Sequence, residues 1–190
     1  RDQPRSRGLG DVYKRQGLLC VLFAFLYTTG PYPLSYNGWG DVLVIVFFGF
    51  VPVGGTYYVQ ALTWTSDTTV ASLICGLLID TLLVVNNYRD READARSGKR
   101  TVIVRFGEKF GRYLYLMLGV AASLLCFWFF FEGHLFAALL PLLYLIPHVL
   151  TWRRMVQIHS GKKLNSILGE TSRNMLLMGI LLSIGFLIRH

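Results

Sequence analysis

The apolar residues of this chain come in long blocks rather than in short or alternating runs, and that feature constrains the fold most. A helix needs about 20 residues to cross the hydrocarbon of a bilayer, where each spanning segment must satisfy its own backbone. Blocks near 17–29, 41–59, 70–87, 111–131, 135–152 and 173–189 suit that requirement, the first being visibly short. They predict an all-α, polytopic transmembrane helix bundle of about six spans. Gly30, Pro31, Tyr32 and Pro33 end the first block, since proline lacks an N–H and restricts its predecessor. Trp39, Tyr57, Tyr58, Trp64, Tyr113, Tyr115 and Trp152 fall near block ends, as an interfacial aromatic belt does. Composition agrees: 16% of residues are charged, against about 25% in soluble domains. Disordered, coiled-coil and collagen-like chains are excluded.

Charge between the blocks is uneven. Residues 86–112 hold eight Lys/Arg and four Asp/Glu, and 153–173 hold five Lys/Arg and one Glu, whereas 30–40 and 132–134 hold no Lys or Arg. Two spans separate the basic segments, so both face one side. The positive-inside tendency makes that side the cytoplasm. A multi-pass protein of the cell (inner) membrane is expected, with loop 30–40 inside and both chain ends outside.

The N-terminal tail, with Arg1, Arg5, Arg7, Lys14 and Arg15, then sits on the wrong face. It has neither a signal-peptide cleavage pattern nor an amphipathic anchor. Asp11-Val12-Tyr13-Lys14-Arg15-Gln16 is one possible translation of GATGTGTATAAGAGACAG, which resembles the transposon end used in sequencing libraries. Residues 1–16 are therefore expected to be a non-native tail, with a natural basic arm as the alternative. Without them 14 basic and 9 acidic residues remain, a balance of +5.

Cys20, Cys75 and Cys126 lie inside apolar blocks without C-x-x-C spacing, and the four histidines are scattered, so neither a disulfide framework nor a zinc helix is expected. His148, beside Pro147, reads as a packed residue. The chemistry concentrates in residues 80–101, where an apolar helix runs into a polar patch. If that helix continues, Asn86, Asp90 and Asp94 recur at four-residue intervals on one face. Two carboxylates and a carboxamide suit a hard cation such as Mg2+, which binds through one or two carboxylates together with substrate phosphates. Arg89, Arg91, Arg96, Lys99 and Arg100 surround them. Cations alone would suggest lipid headgroups; interleaved signs suggest Mg2+ bridging to a diphosphate. Spacing leaves a solvated ion-pair patch equally open. Asp80, in the apolar part of the same helix, shares a face with Asn87 and Asp94, where an ionisable group usually turns inward.

The run Asn86 to Gly107 (N-N-Y-R-D-R-E-A-D-A-R-S-G-K-R-T-V-I-V-R-F-G) closely resembles the second aspartate-rich motif of the UbiA superfamily, the intramembrane aromatic prenyltransferases. Tyr27 to Gly38, Gly54 to Gln60 and Leu164 to Asn174 resemble its branch that uses 1,4-dihydroxy-2-naphthoate in bacterial menaquinone synthesis. The resemblance covers 17–190, one prenyltransferase domain. It implies transfer of a polyprenyl group from polyprenyl diphosphate to 1,4-dihydroxy-2-naphthoate, giving demethylmenaquinone, CO2 and diphosphate. It also implies Asp90, Asp94 and Asn86 toward Mg2+, with Arg89, Lys99 and Arg100 toward the diphosphate. Asn87 and Arg96 are weaker choices for that role. Tyr57 is the preferred aromatic member of the pocket, ahead of Tyr58, Tyr32 and Trp64, and Arg173 is a candidate for the naphthoate carboxylate.

Such enzymes have nine helices and a first motif N-D-x-x-D-x-x-x-D that does not occur here. The expectation is therefore a C-terminal two thirds, inactive by itself. Beyond the lipid bilayer and the two substrates, neither nucleic acid nor an obligate protein partner is expected. Alternatives are another acceptor (4-hydroxybenzoate, homogentisate or haem) and a membrane transporter. A CDP-alcohol phosphotransferase lacks its D-G-x-x-A-R signature here.

Overall fold

The computed structural model describes residues 14–15, 17–23, 25–27 and 33–188. The tail 1–13, Gln16 and the Gly30–Tyr32 part of the expected turn lie outside them, and the 17–29 span is described only in part. Among the described residues, five helices are long and apolar enough to cross a membrane: α1 (Gly40–Ala61), α2 (Ser66–Arg96), α4 (Glu108–Phe131), α5 (Leu135–Ile158) and α6 (Lys162–Leu187). A short α3 (Val102–Phe106) joins α2 to α4. No strand occurs among these residues, and the chain is a multi-pass helical membrane protein.

α2 is the central element, packed against α1, α4 and α6. Thr65 starts it by accepting a hydrogen bond from the Thr68 amide at 3.2 Å, an N-cap that satisfies one orphan donor. Its 31 residues reach about 46 Å, well beyond the roughly 30 Å hydrocarbon thickness. The helix therefore carries Asn86 to Arg96 past its apolar part, the continuation on which the Asn86, Asp90 and Asp94 stripe depended. Likewise α6 is already helical from Asn165, not from 173, because its first turns are polar and stand clear of the apolar layer.

Glycines set the α1–α2 distance. A Cβ on Gly49 would lie 2.9 Å from Gly76 Cα, so the backbones meet directly, as small residues permit in membranes. Between Ile45 and Gly54, α1 is π-helical and contains Pro52, which has no N–H to donate to the helix. Nearby, the Phe48 carbonyl accepts a hydrogen bond from the Cys75 thiol of α2 at 3.6 Å, a contact that crosses to the neighbouring helix. Periodicity of apolar residues gave no hint of this stretch.

Polar contacts join the remaining helices. Tyr115 and Thr171 hydroxyls meet at 2.9 Å, and the Asn174 amide donates to Thr151 Oγ1 at 2.9 Å. His148 is fully buried between Tyr115 and Tyr144, with ring centroids at 4.7 and 5.0 Å. Its Nε2 faces the Leu116 carbonyl at 3.3 Å, which only accepts, so Nε2 donates and Nδ1 receives the Tyr144 hydroxyl at 2.9 Å. His148 is thus a packing residue, as the sequence suggested.

Candidate active site

Three separate segments converge at the polar end of α2. Arg91 approaches His159 Nδ1 at 3.1 Å, and Arg89 donates to Asn165 Oδ1 at 2.9 Å, which brings the α5–α6 connection to this end. The Leu34–Asn37 turn arrives from the other direction: the Arg100 amide donates to the Tyr36 carbonyl at 2.7 Å, and Arg105 donates to the Asn37 carbonyl at 2.7 Å. Gly38 closes that turn at φ +79° with the Arg105 guanidinium beside it, a conformation that favours glycine. Both basic segments and residues 33–40 therefore share one end of the bundle, as loop charge predicted.

Between the turn and α2 lies a cavity of about 410 Å³ lined by Tyr27, Ser35, Tyr36, Gly38, Gly40, Asp41, Leu83, Asn86, Asn87, Asp94, Ser97, Lys99 and Thr101. Lys99 Nζ stands 3.4 Å from Asp94. Asn87 is 4% exposed. Tyr27 also lines an adjoining apolar cavity of about 500 Å³ formed with Cys20, Phe23, Leu43, Val44, Phe47 and Phe48. A polar chamber thus shares a wall with an apolar one.

The expected stripe is only partly realised. Asn86 and Asp94 line the cavity, but Asp90 does not: Arg89 grips both its oxygens, at 2.8 and 2.6 Å, in a fork that suits the ionised carboxylate. The same guanidinium reaches Asn86 Oδ1 at 2.6 Å, so Arg89 is fully engaged rather than held out for a ligand. Arg100 is exposed next to the rim residues Lys99 and Thr101. Arg91 turns away, stacking on Tyr88 at 4.5 Å and pairing with Glu108 at 3.3 Å.

Tyr57 is not brought to the cavity. It stands near the opposite end of α1, half-exposed, about 24 Å from Asp41 along the helix, where the aromatic-belt reading describes it. Tyr58 and Trp64 share that end, lining a shallow groove with Gly55; Tyr32 lies outside the described residues. Arg173 lines a groove between α5 and α6 with Arg153, Arg154 and Glu170, separate from the cavity. Sequence reasoning missed Asp41. It heads an apolar block and reads as an ordinary helix-start acid, yet it lines the cavity with neither carboxylate oxygen hydrogen-bonded.

The donors in the cavity are carboxylate, carboxamide and hydroxyl oxygens, the set a hard cation takes. Among the described residues no group of three or more His, Cys, Asp or Glu is poised to hold a metal. The fit is thus to a cation that shares its ligands with a bound phosphate, not to one caged by protein.

Comparison with known proteins adds to this geometry. The UbiA prenyltransferase family model matches residues 16–185. A 1,4-dihydroxy-2-naphthoate octaprenyltransferase of Haemophilus influenzae is 38% identical over 180 residues, covering 90% of this chain and 56% of that protein. A protein of that name from Mycobacterium leprae is 43% identical over 109 residues, 57% of this chain and 37% of that one. The UbiA prenyltransferase domain-containing protein 1 of Dictyostelium discoideum is 30% identical over 189 residues, 93% and 56% of the two chains. The chain thus spans about half the length, or less, of the curated relatives it matches. No solved structure matches it significantly.

Proposed function

Since the chain belongs to the UbiA prenyltransferase family, we propose that its cavity serves the transfer of a polyprenyl group from polyprenyl diphosphate to 1,4-dihydroxy-2-naphthoate, with loss of CO2 and diphosphate. The observation that carries this reading is the pairing of chambers. The polar one offers Asp94, Asn86, Asn87 and Lys99 to a diphosphate, and the apolar one beside Tyr27 suits an isoprenoid chain. The names of several relatives support the acceptor. The polar end faces the cytoplasm of a bacterial inner membrane, where both basic segments belong by charge.

Departure of the diphosphate is the demanding step, because negative charge grows on the leaving oxygen while an allylic cation forms. Lys99 stands where it offsets that charge, and Arg100 extends the cationic rim. Mg2+, when bound through Asp94 and the Asn86 and Asn87 carboxamides, would supply further charge neutralisation at the diphosphate. Arg89 and Asp90 neutralise one another in the free chain, so a diphosphate that engages Arg89 frees the Asp90 carboxylate. The apolar walls Leu83, Leu43 and Phe47 exclude water that would otherwise capture the cation.

The test is prenyl transfer by the chain, and by a chimera in which residues 17–188 replace the matching segment of the Haemophilus influenzae relative. Both are assayed in membranes with Mg2+ or with EDTA. Demethylmenaquinone from 1,4-dihydroxy-2-naphthoate, lost with EDTA and in Asp94→Ala and Asp90→Ala, is expected from the chimera. Product from 4-hydroxybenzoate or homogentisate alone overturns the acceptor, and no product from any of them overturns the activity.

A further inference from the structure

Among the described residues, three buried carboxylate oxygens receive no hydrogen bond: both of Asp41 and Oδ1 of Asp80. Buried polar atoms are nearly always partnered, and an ionisable side chain within a membrane helix is costly enough to mark a functional position. The two residues come from different helices, α1 and α2, and lie within electrostatic reach of one another and of Tyr27. Asp80 is 1% exposed, deep in α2. Asp41 follows Gly40, where a Cβ would come 3.6 Å from the Tyr27 hydroxyl and 3.4 Å from Leu83 Cδ2, so the glycine lets both side chains crowd in.

Asp41 opens onto the polar cavity together with Asn87, whose nearly buried carboxamide has no hydrogen-bond partner among the described residues. Along α2, Asp80, Asn87 and Asp94 follow at seven-residue steps on one face, each about 10 Å from the next. One end of this row carries Lys99 and suits a phosphate. The other offers the unpartnered oxygens of Asp41 and Asp80 beside the Tyr27 hydroxyl. Its neighbours Leu83, Tyr27 and Gly40 give a small, largely apolar setting. A neutral hydroxyl on a flat ring fits that setting better than a hydrated ion.

We propose that Asp41, backed by Asp80, receives a phenolic hydroxyl of the aromatic acceptor and thereby selects hydroxylated naphthoates. The proposal rests on the aromatic-acceptor reading above and adds the group that recognises the ring. The same hydrogen bond draws electron density into the ring, and the nearby negative charge favours the positive charge that the ring gathers as it attacks an allylic cation. The row on α2 then orders the two substrates, phosphate toward Asp94 and acceptor toward Asp41.

The experiment measures binding of three probes, 2-naphthoate, 1-hydroxy-2-naphthoate and 4-hydroxy-2-naphthoate, to the purified chain in lipid nanodiscs by ligand fluorescence. A hydrogen bond to a charged acceptor predicts a preference of about 10- to 100-fold for at least one hydroxylated probe. Asp41→Leu reduces that ratio to within about twofold. Asp41→Asn, which keeps an acceptor oxygen but no charge, leaves a preference of a few fold. The ratio is internal to each variant, so altered expression does not mimic the effect. Should Asp41→Leu bind nothing, the Asp41→Asn ratio decides, and an unchanged ratio there overturns the proposal. So does a parent that binds all three probes equally, which leaves the acceptor reading standing. A parent that binds none of them overturns both.

Discussion

The two sides of the polar end of α2 are built on opposite plans. On one side Tyr88, Arg91, Glu108, Arg112 and His159 close a network. Arg112 Nε donates to the Tyr88 hydroxyl at 2.9 Å, Arg112 and Glu108 form an ion pair, and Arg91 and His159 reach Glu108 at 3.3 and 3.4 Å. On the other side Asn87 and Asp41 face a cavity with hydrogen-bonding capacity unspent. A satisfied network rigidifies a fold, whereas free groups at a cavity are available to a ligand. The difference assigns stability to one side and chemistry to the other, although both carry the same kinds of residue.

The strongest way to break that division is to remove one residue from each side. Asp94→Ala in the chimera is expected to lower prenyl transfer by about 100-fold or more, the scale of losing one preorganised charge-stabilising group. Its ion pair with Lys99 is loose, so unfolding in detergent should shift by less than about 1 kcal/mol. Glu108→Ala should invert the pattern. It strands two guanidiniums, costing about 1–3 kcal/mol, while the rate per folded molecule stays within about threefold. A Glu108 variant as inactive as the Asp94 variant would dissolve the distinction.

How much of this was legible beforehand follows from the same contrast. The bundle was, because long apolar blocks leave a chain little choice, and so was the common side of the basic segments, later met in the Arg91–His159 and Arg89–Asn165 contacts. Helical periodicity put Asn86, Asp90 and Asp94 on one stripe and Asp80, Asn87 and Asp94 on another; of these, Asn86, Asn87 and Asp94 line the cavity. Periodicity says nothing about what crosses from other elements. Asp41 lies 39 positions before Asp80 on another helix, and Arg89 binds Asn165 from 76 positions away. Nor does a one-helix stripe reveal that Asp90 spends both oxygens on its neighbour, since adjacent helix residues do not ordinarily face each other. Tyr57 looked like a pocket residue because of the run it sits in; its place near the far end of α1 depends on helix length, which motif similarity does not report.

A finer test of the stability side is Tyr88→Phe. The ring is fully buried and stays, with the Arg91 guanidinium still above it, so only the hydroxyl between Arg112 and Glu108 is removed. The expected cost is about 1 kcal/mol in chemical denaturation, with binding of the naphthoate probes unchanged. A shift in their affinity would connect the two sides through α2.

The smallest expected effect is the most informative about Arg89, which sits on the boundary between the two plans. Its Nη1 contact with Asn165 crosses from α2 to α6 and is exposed, so Asn165→Ala should cost no more than about 0.5 kcal/mol, the lower end for a net hydrogen bond. The fork onto Asp90 and the reach to Asn86 remain, so on a purely structural account nothing else changes. If Asn165 also steadies Arg89 against leaving Asp90, the variant frees the guanidinium more readily, and inorganic diphosphate should bind the chain up to about threefold tighter. Equal diphosphate affinity in parent and variant would place Arg89 wholly with the closed network, and leave Lys99 and Arg100 to meet the anion.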